Sequence, residues 1–83
     1  MIVYTIDIYS KETEDLILEI NISPEKADEI IDILELNAED REEFMQGIGV
    51  YNLKKNQALR LELLVGENFY SDDVILQISG GEV

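Results

Sequence analysis

The segment SPEKADEIIDILELNAEDREEF, Ser23 to Phe44, holds nine carboxylates, Glu25, Asp28, Glu29, Asp32, Glu35, Glu39, Asp40, Glu42 and Glu43, against two cations, Lys26 and Arg41. Side chains of this type offer three kinds of chemistry. Two carboxylates facing each other across a pocket perform general acid and base work, as in glycoside hydrolysis. A convergent set of oxygens takes a hard cation such as calcium. A dispersed set presents fixed negative charge, which pairs with Lys and Arg on a cationic surface and raises the encounter rate by steering.

The rest of the composition narrows the choice. The chain of 83 residues has no His and no Cys, which removes a Ser-His-Asp arrangement, a thiolate nucleophile, an imidazole base, a thiolate zinc site and a disulfide framework. No G-x-x-x-x-G-K-[ST], G-x-G-x-x-G or H-E-x-x-H motif is present, and Gly47-Ile48-Gly49 matches none of them. A carboxylate pair still needs a pocket, for which a domain of this length has little room. No D-x-[DN]-x-[DN]-G loop is present, and acids strung along a helix face do not converge on one ion. The expectation is a protein that is not an enzyme and carries no metal and no cofactor.

Nineteen acids against six bases leave a net charge of -13, which repels phosphate backbones and anionic head groups and attracts cationic surfaces. The expected partner is a basic protein, with no direct nucleic-acid binding and no membrane. Met1 leads straight into an alternating apolar pattern, and no apolar run approaches the roughly 18 residues that span a bilayer, so a cytoplasmic location is expected. The charge is uneven: residues 1–50 hold 14 acids and 3 bases, residues 51–83 hold 5 and 3.

The elements that must position these acids follow from periodicity. IVYTIDIY, residues 2–9, alternates with β-branched and aromatic residues, as does LILEINI, residues 16–22, which puts Leu16, Leu18, Ile20 and Ile22 on one face. The short polar link between them predicts an antiparallel hairpin. Ser23-Pro24 then opens a helix, Ser as cap and Pro at the first position. Ala27, Ile30, Ile31 and Leu34 form its apolar stripe over Pro24 to Leu36. AEDREEFMQG predicts a second short helix, with acids in the first turn and Gly47 at its end. Residues 57–65 fit both strand and helix: Leu59, Leu61, Leu63 and Val65 alternate, but the run is rich in helix formers and stops at Gly66. The alternation favours strand. DVILQIS is a further strand, and residues 80–83 a loose tail. Together these give an α+β class in one domain, 1–83: an N-terminal antiparallel hairpin, an amphipathic helix packed on the sheet, a short second helix, and one or two further C-terminal strands.

On a helix at about 100° per residue, Glu25, Asp28, Glu29, Asp32 and Glu35 fall within an arc of about 120°, opposite the apolar stripe. Like charges at i, i+4, such as Asp28 and Asp32, destabilise a helix by about 0.2–0.5 kcal/mol each. Local helix stability therefore does not account for them. Such a stripe is either a solvated face or a docking face for a cationic partner. Ile33 falls beside the acids, where it is either an interface anchor or a second core contact.

Over most of its length the chain resembles the small acidic immunity proteins of bacterial toxin systems, including contact-dependent growth inhibition. The resemblance rests on the hairpin VYTIDIYSKETEDLILEINI with its Lys-Glu-Thr-Glu turn, the acidic helix, and YNLKKNQALRLELLVG. It implies binding to one cognate toxin, often a basic nuclease, with the acids standing in for phosphate. The charge argument places that partner-binding face at Asp28, Asp32, Ile33, Glu35, Glu39, Asp40 and Glu43. The order hairpin, helix, further strands also resembles ubiquitin-like β-grasp proteins, with Tyr51-Asn52-Leu53 and the glycines Gly80-Gly81 as points of likeness. That resemblance implies a carrier, although Glu82 and Val83 follow the glycines. A structural adaptor is the third reading.

Overall fold

The computed structural model describes residues 1–82. Strand β1 (Ile2–Ser10) and strand β2 (Leu16–Ile22) form the expected hairpin, followed by a single 3-10 turn at Pro24–Lys26, helix α1 (Ala27–Leu34), helix α2 (Ala38–Met45), strand β3 (Val50–Asn52), helix α3 (Lys55–Val65) and strand β4 (Val74–Glu82). The sheet runs in the order β2-β1-β4-β3, and every neighbouring pair is antiparallel. The α+β class read from the periodicity is the observed one.

The sheet has one covered face. Tyr4, Ile6 and Ile8 of β1, Ile20 and Ile22 of β2, and Leu76 and Ile78 of β4 are buried with Ala27, Ile30, Ile31, Ile33 and Leu34 of α1, Phe44 of α2, and Ala58 and Leu61 of α3. The opposite face carries Thr5, Asp7, Glu19, Asn21, Gln77 and Asn52, as expected of an antiparallel sheet wet on one side.

Each helix has a local cause. Ser23 Oγ accepts from the Glu25 amide at 3.4 Å, and Pro24 starts the 3-10 turn. The first helix ends two residues short of Leu36, because Glu35 takes a left-handed conformation (φ 55°) and turns the chain outward. Asn37 caps α2, its side-chain oxygen accepting from the Asp40 amide at 2.8 Å. Helix α2 is polar almost throughout and is held by one residue: the Phe44 ring stacks on Tyr4 at 4.4 Å, and the Tyr4 hydroxyl donates to the Phe44 carbonyl at 3.1 Å.

Residues 57–65 are helix, which corrects the strand favoured by the alternation. Ala58 and Leu61 are buried and Leu64 and Val65 half-buried, a helical stripe, whereas Leu59 and Leu63 point to solvent. The alternation counted two exposed leucines as core. Helix propensity, a Lys54 amide bonded to Gln57 Oε1 (2.9 Å) and the left-handed Gly66 (φ 80°) decide the segment.

Two further expectations change. Tyr9 pairs with Leu16 and Ile8 with Leu18, so Ile17 is a bulge without a partner on β1, and Leu16 leaves the face of Leu18 and Ile20. Residues 80–82 are not a loose tail but the end of β4, Gly80 opposite Tyr4 and Gly81 opposite Val3; Val83 lies outside the described residues. Gly80 is there for space, since a Cβ on it would stand 3.0 Å from Gly47 Cα and 3.2 Å from the Tyr4 ring.

Replacing Gly80 by Ala is accordingly expected to cost about 1–3 kcal/mol by overpacking, whereas Gly81→Ala, which meets nothing within 4 Å, leaves stability within about 0.5 kcal/mol; urea denaturation of the pair measures both. Burial raises the Tyr4 hydroxyl above its ordinary pKa of 10.0, and burial, Asp40 and Glu43 do the same for Tyr51. A pKa raised on folding contributes stability that is complete below the unfolded value and lost as pH rises through the folded one. Unfolding free energy should therefore decline above pH 10, and less steeply in Tyr4→Phe, a change that itself removes one hydrogen bond and about 1 kcal/mol.

Candidate functional site

The expected binding residues fall into separate settings. Asp28, Glu29 and Asp32 project from α1 and are exposed; Glu25 sits in the 3-10 turn before it and Glu35 at its left-handed end, both exposed. Glu29 and Asp32 form one wall of an open groove, of about 400 Å³, whose other wall is Arg60, Leu63 and Leu64 of α3. Ile33 lies at its floor and is only 6 % exposed. The interface-anchor reading of Ile33 is therefore corrected: it belongs to the core, because the third helix packs against that side of α1. Leu63, 86 % exposed, is the apolar side chain that stands free at this rim.

Glu39, Asp40 and Glu43 belong to α2. Glu39 and Glu43 are exposed, while Asp40 is half-buried and its amide is taken by the Asn37 cap. Neither Asp40 nor Glu43 lines the groove; after burial, their charges are what raises the Tyr51 hydroxyl above its ordinary pKa. The two helices approach at Asp28 and Arg41, whose charged atoms lie 4.0 Å apart with both side chains largely exposed, a geometry in which an ion pair contributes at most about 1 kcal/mol. Asp28, Asp32, Glu35, Glu39, Asp40 and Glu43 thus form a broad negative surface over two helices, not one convergent centre. Among the described residues, no three His, Cys, Asp or Glu side chains come close enough together to hold a metal ion.

One acid elsewhere is fully accounted for by the fold. The Glu62 carboxylate accepts from the backbone amides of Phe69 (2.7 Å) and Tyr70 (2.9 Å), tying the loop before β4 to α3. Among the described residues, the side chains of Asp32, Glu35, Glu39 and Glu43 make no such hydrogen bond or ion pair. Arg60, Leu63 and Leu64 of the groove escaped the sequence reading, because a strand over 57–65 puts Leu63 and Leu61 on the same face. Gly66 and the helix-forming run were the signals that could have found them.

Residues 3–79 match the family model described as a domain of unknown function, DUF7683, which takes in all of the helices and most of the sheet. No curated protein and no solved structure matches. No helix among the described residues is long and apolar enough to cross a membrane.

The unpaired acids set an expectation for the free protein. Two unit charges about 6 Å apart in water repel by roughly 0.7 kcal/mol, and salt shortens the screening length from about 30 Å at 0.01 M to about 8 Å at 0.15 M. Over that range the melting temperature should rise by several degrees, about 4–8 °C for each kcal/mol relieved, and the variant Asp28→Asn/Asp32→Asn/Glu35→Gln should show a smaller rise. Glu35→Gly, which removes a left-handed non-glycine residue, should stabilise by about 1 kcal/mol in thermal or urea unfolding.

Proposed function

We propose that this chain, which belongs to the DUF7683 family, is a non-enzymatic binding protein that neutralises a cationic protein partner through the acidic surface of α1 and α2, in the manner of an immunity protein blocking a nuclease-type toxin. The observation that carries the reading is that four of these carboxylates, Asp32, Glu35, Glu39 and Glu43, make no side-chain hydrogen bond or ion pair among the described residues. Glu62 shows how this chain uses an acid structurally, with two charge-assisted bonds to backbone; Asp32, Glu35, Glu39 and Glu43 stand in solvent at a cost in repulsion. A surface of that kind favours Lys and Arg over any other partner chemistry, and fixed negative charge in the array a basic nuclease expects of phosphate would compete for its substrate groove.

An apolar rim sharpens the fit. The groove beside Glu29 and Asp32 offers Leu63 and Leu64 to the partner next to the charges, the combination of a desolvated centre and a polar surround that gives an interface its affinity. The carrier reading would need Gly80-Gly81 as a free end, and those glycines are paired with β1. The adaptor reading would draw on Leu63 and Leu59 without the acids.

The test is a salt-dependent pull-down from the native host followed by binding and activity assays on the purified partner. The expected outcome is a basic protein whose activity the chain inhibits, with affinity falling at least tenfold in Asp28→Asn/Asp32→Asn/Glu35→Gln and falling with added salt. Affinity unchanged by neutralisation but lost in Leu63→Ala would replace the electrostatic reading with the adaptor one.

A further inference from the structure

Strand β2 is an edge: in the order β2-β1-β4-β3 no strand among the described residues pairs with its outer flank. An edge strand presents a row of unpaired amides and carbonyls, and proteins usually blunt it with charged side chains, lysine above all, with proline, with a bulge or with a covering element. LILEINI has neither lysine nor proline. Its first three residues are apolar and uncovered, Leu16 at 47 %, Ile17 at 59 % and Leu18 at 52 % exposure. The bulge at Ile17 twists that end away, which leaves Leu18–Ile22 as the regular ladder, with the two apolar residues as a shoulder.

The same strand carries an unresolved charge conflict. On the open face of the sheet Glu19 stands directly opposite Asp7 of β1, a like-charge cross-strand pair of the kind that destabilises a sheet. No Lys or Arg among the described residues pairs with either. The hairpin loop adds Glu12, Glu14 and Asp15, and its one cation, Lys11, is turned away, its Nζ donating to the Asp72 carbonyl at 2.8 Å.

We infer that β2 is a strand-addition site for an extended cationic segment of a partner protein. The pleat dictates its pattern. A residue placed beside Glu19 on the open face is Lys or Arg, because it would stand next to the Glu19 carboxylate with Asp7 one strand further on, while its neighbours, beside Leu18 and Ile20 on the covered side, are apolar. The segment therefore alternates basic and apolar residues. A second copy of the chain does not fit, since it would bring its own Glu19 and Asp15 to an edge that is already acidic on a molecule of net charge -13. The inference rests on the reading that the partner is cationic, but it concerns a different surface from the acids of α1 and α2.

The probe is an acetylated, amidated seven-residue peptide alternating lysine and valine, with two versions N-methylated on one or the other set of alternate backbone amides, since an extended strand hydrogen-bonds a neighbour through one set only. Hydrogen exchange followed by NMR should show at least tenfold slower exchange at alternate amides of Leu18–Ile22 on peptide addition, with α1 unaffected. One N-methylated version should bind at least tenfold more weakly and the other within about twofold of the parent. Glu19→Lys should reverse the preference towards a peptide alternating glutamate and valine. Equal binding of both N-methylated versions, protection on α1 instead of β2, absence of binding, or protection of β2 that appears with protein concentration alone would each overturn the inference. The failure of the acidic helices as a docking face is read separately, by Asp28→Asn/Asp32→Asn/Glu35→Gln with the natural partner, a variant that should leave peptide-induced protection of β2 in place.

Discussion

The contact between Tyr4 and Phe44 is the constraint on which the arrangement of the acidic surface depends. Helix α2 has no apolar stripe, and a helix of eight residues is marginal in water by itself. Its place on the sheet is set by one ring stacked on another and by one hydroxyl bonded to the carbonyl of the same residue. Gly80 makes that contact possible by giving up a side chain where Gly47 and the Tyr4 ring close over β4. The central position of β1, paired on both sides, makes Tyr4 a rigid base for the helix.

A single layer of helices covers a single face of the sheet, so a domain of this size has few surfaces left over for anything but solvent. The chain fills them asymmetrically. The open face is mostly polar, the helical side carries acids, and apolar exposure falls at Met1, the start of β2, Leu59 and Leu63 on α3, Ile75 on β4, and Met45, Ile48 and Val50 around the short edge strand β3. Charge and apolar surface meet at the α1–α3 groove and again at β2. A surface rich in carboxylates with few cations beside them holds the protein apart from its own copies and leaves it selective for the opposite charge.

What the carboxylates do for the fold separates them. Glu62 and Asp72 are tied into loops through backbone and tyrosine hydrogen bonds. Glu35 occupies a left-handed position that glycine or asparagine fills at lower cost, and it stays an acid. Asp7 and Glu19 face each other across two strands. Each of these conflicts would be relieved by one substitution, and their concentration on the surface is the physical basis for reading that surface as functional.

The hairpin, the first helix with its Ser-Pro start, the short second helix and the last strand were legible in the sequence, because each rests on a local cause: alternation over β1, the stripe Ala27, Ile30, Ile31 and Leu34, the first-turn acids Glu39 and Asp40. The composition likewise determined the sign of the surface and the chemistry that His and Cys would have supplied. Tertiary structure decided the rest. Residues 57–65 fit two periods, and only packing of Ala58 and Leu61 against the core chose the helix. Ile33 was ambiguous until α3 lay beside it, and Gly80-Gly81 read as a tail until β4 paired with β1. A period states which residues share a face; which faces are covered, and by what, is a property of contacts distant in sequence, and no local pattern encodes them.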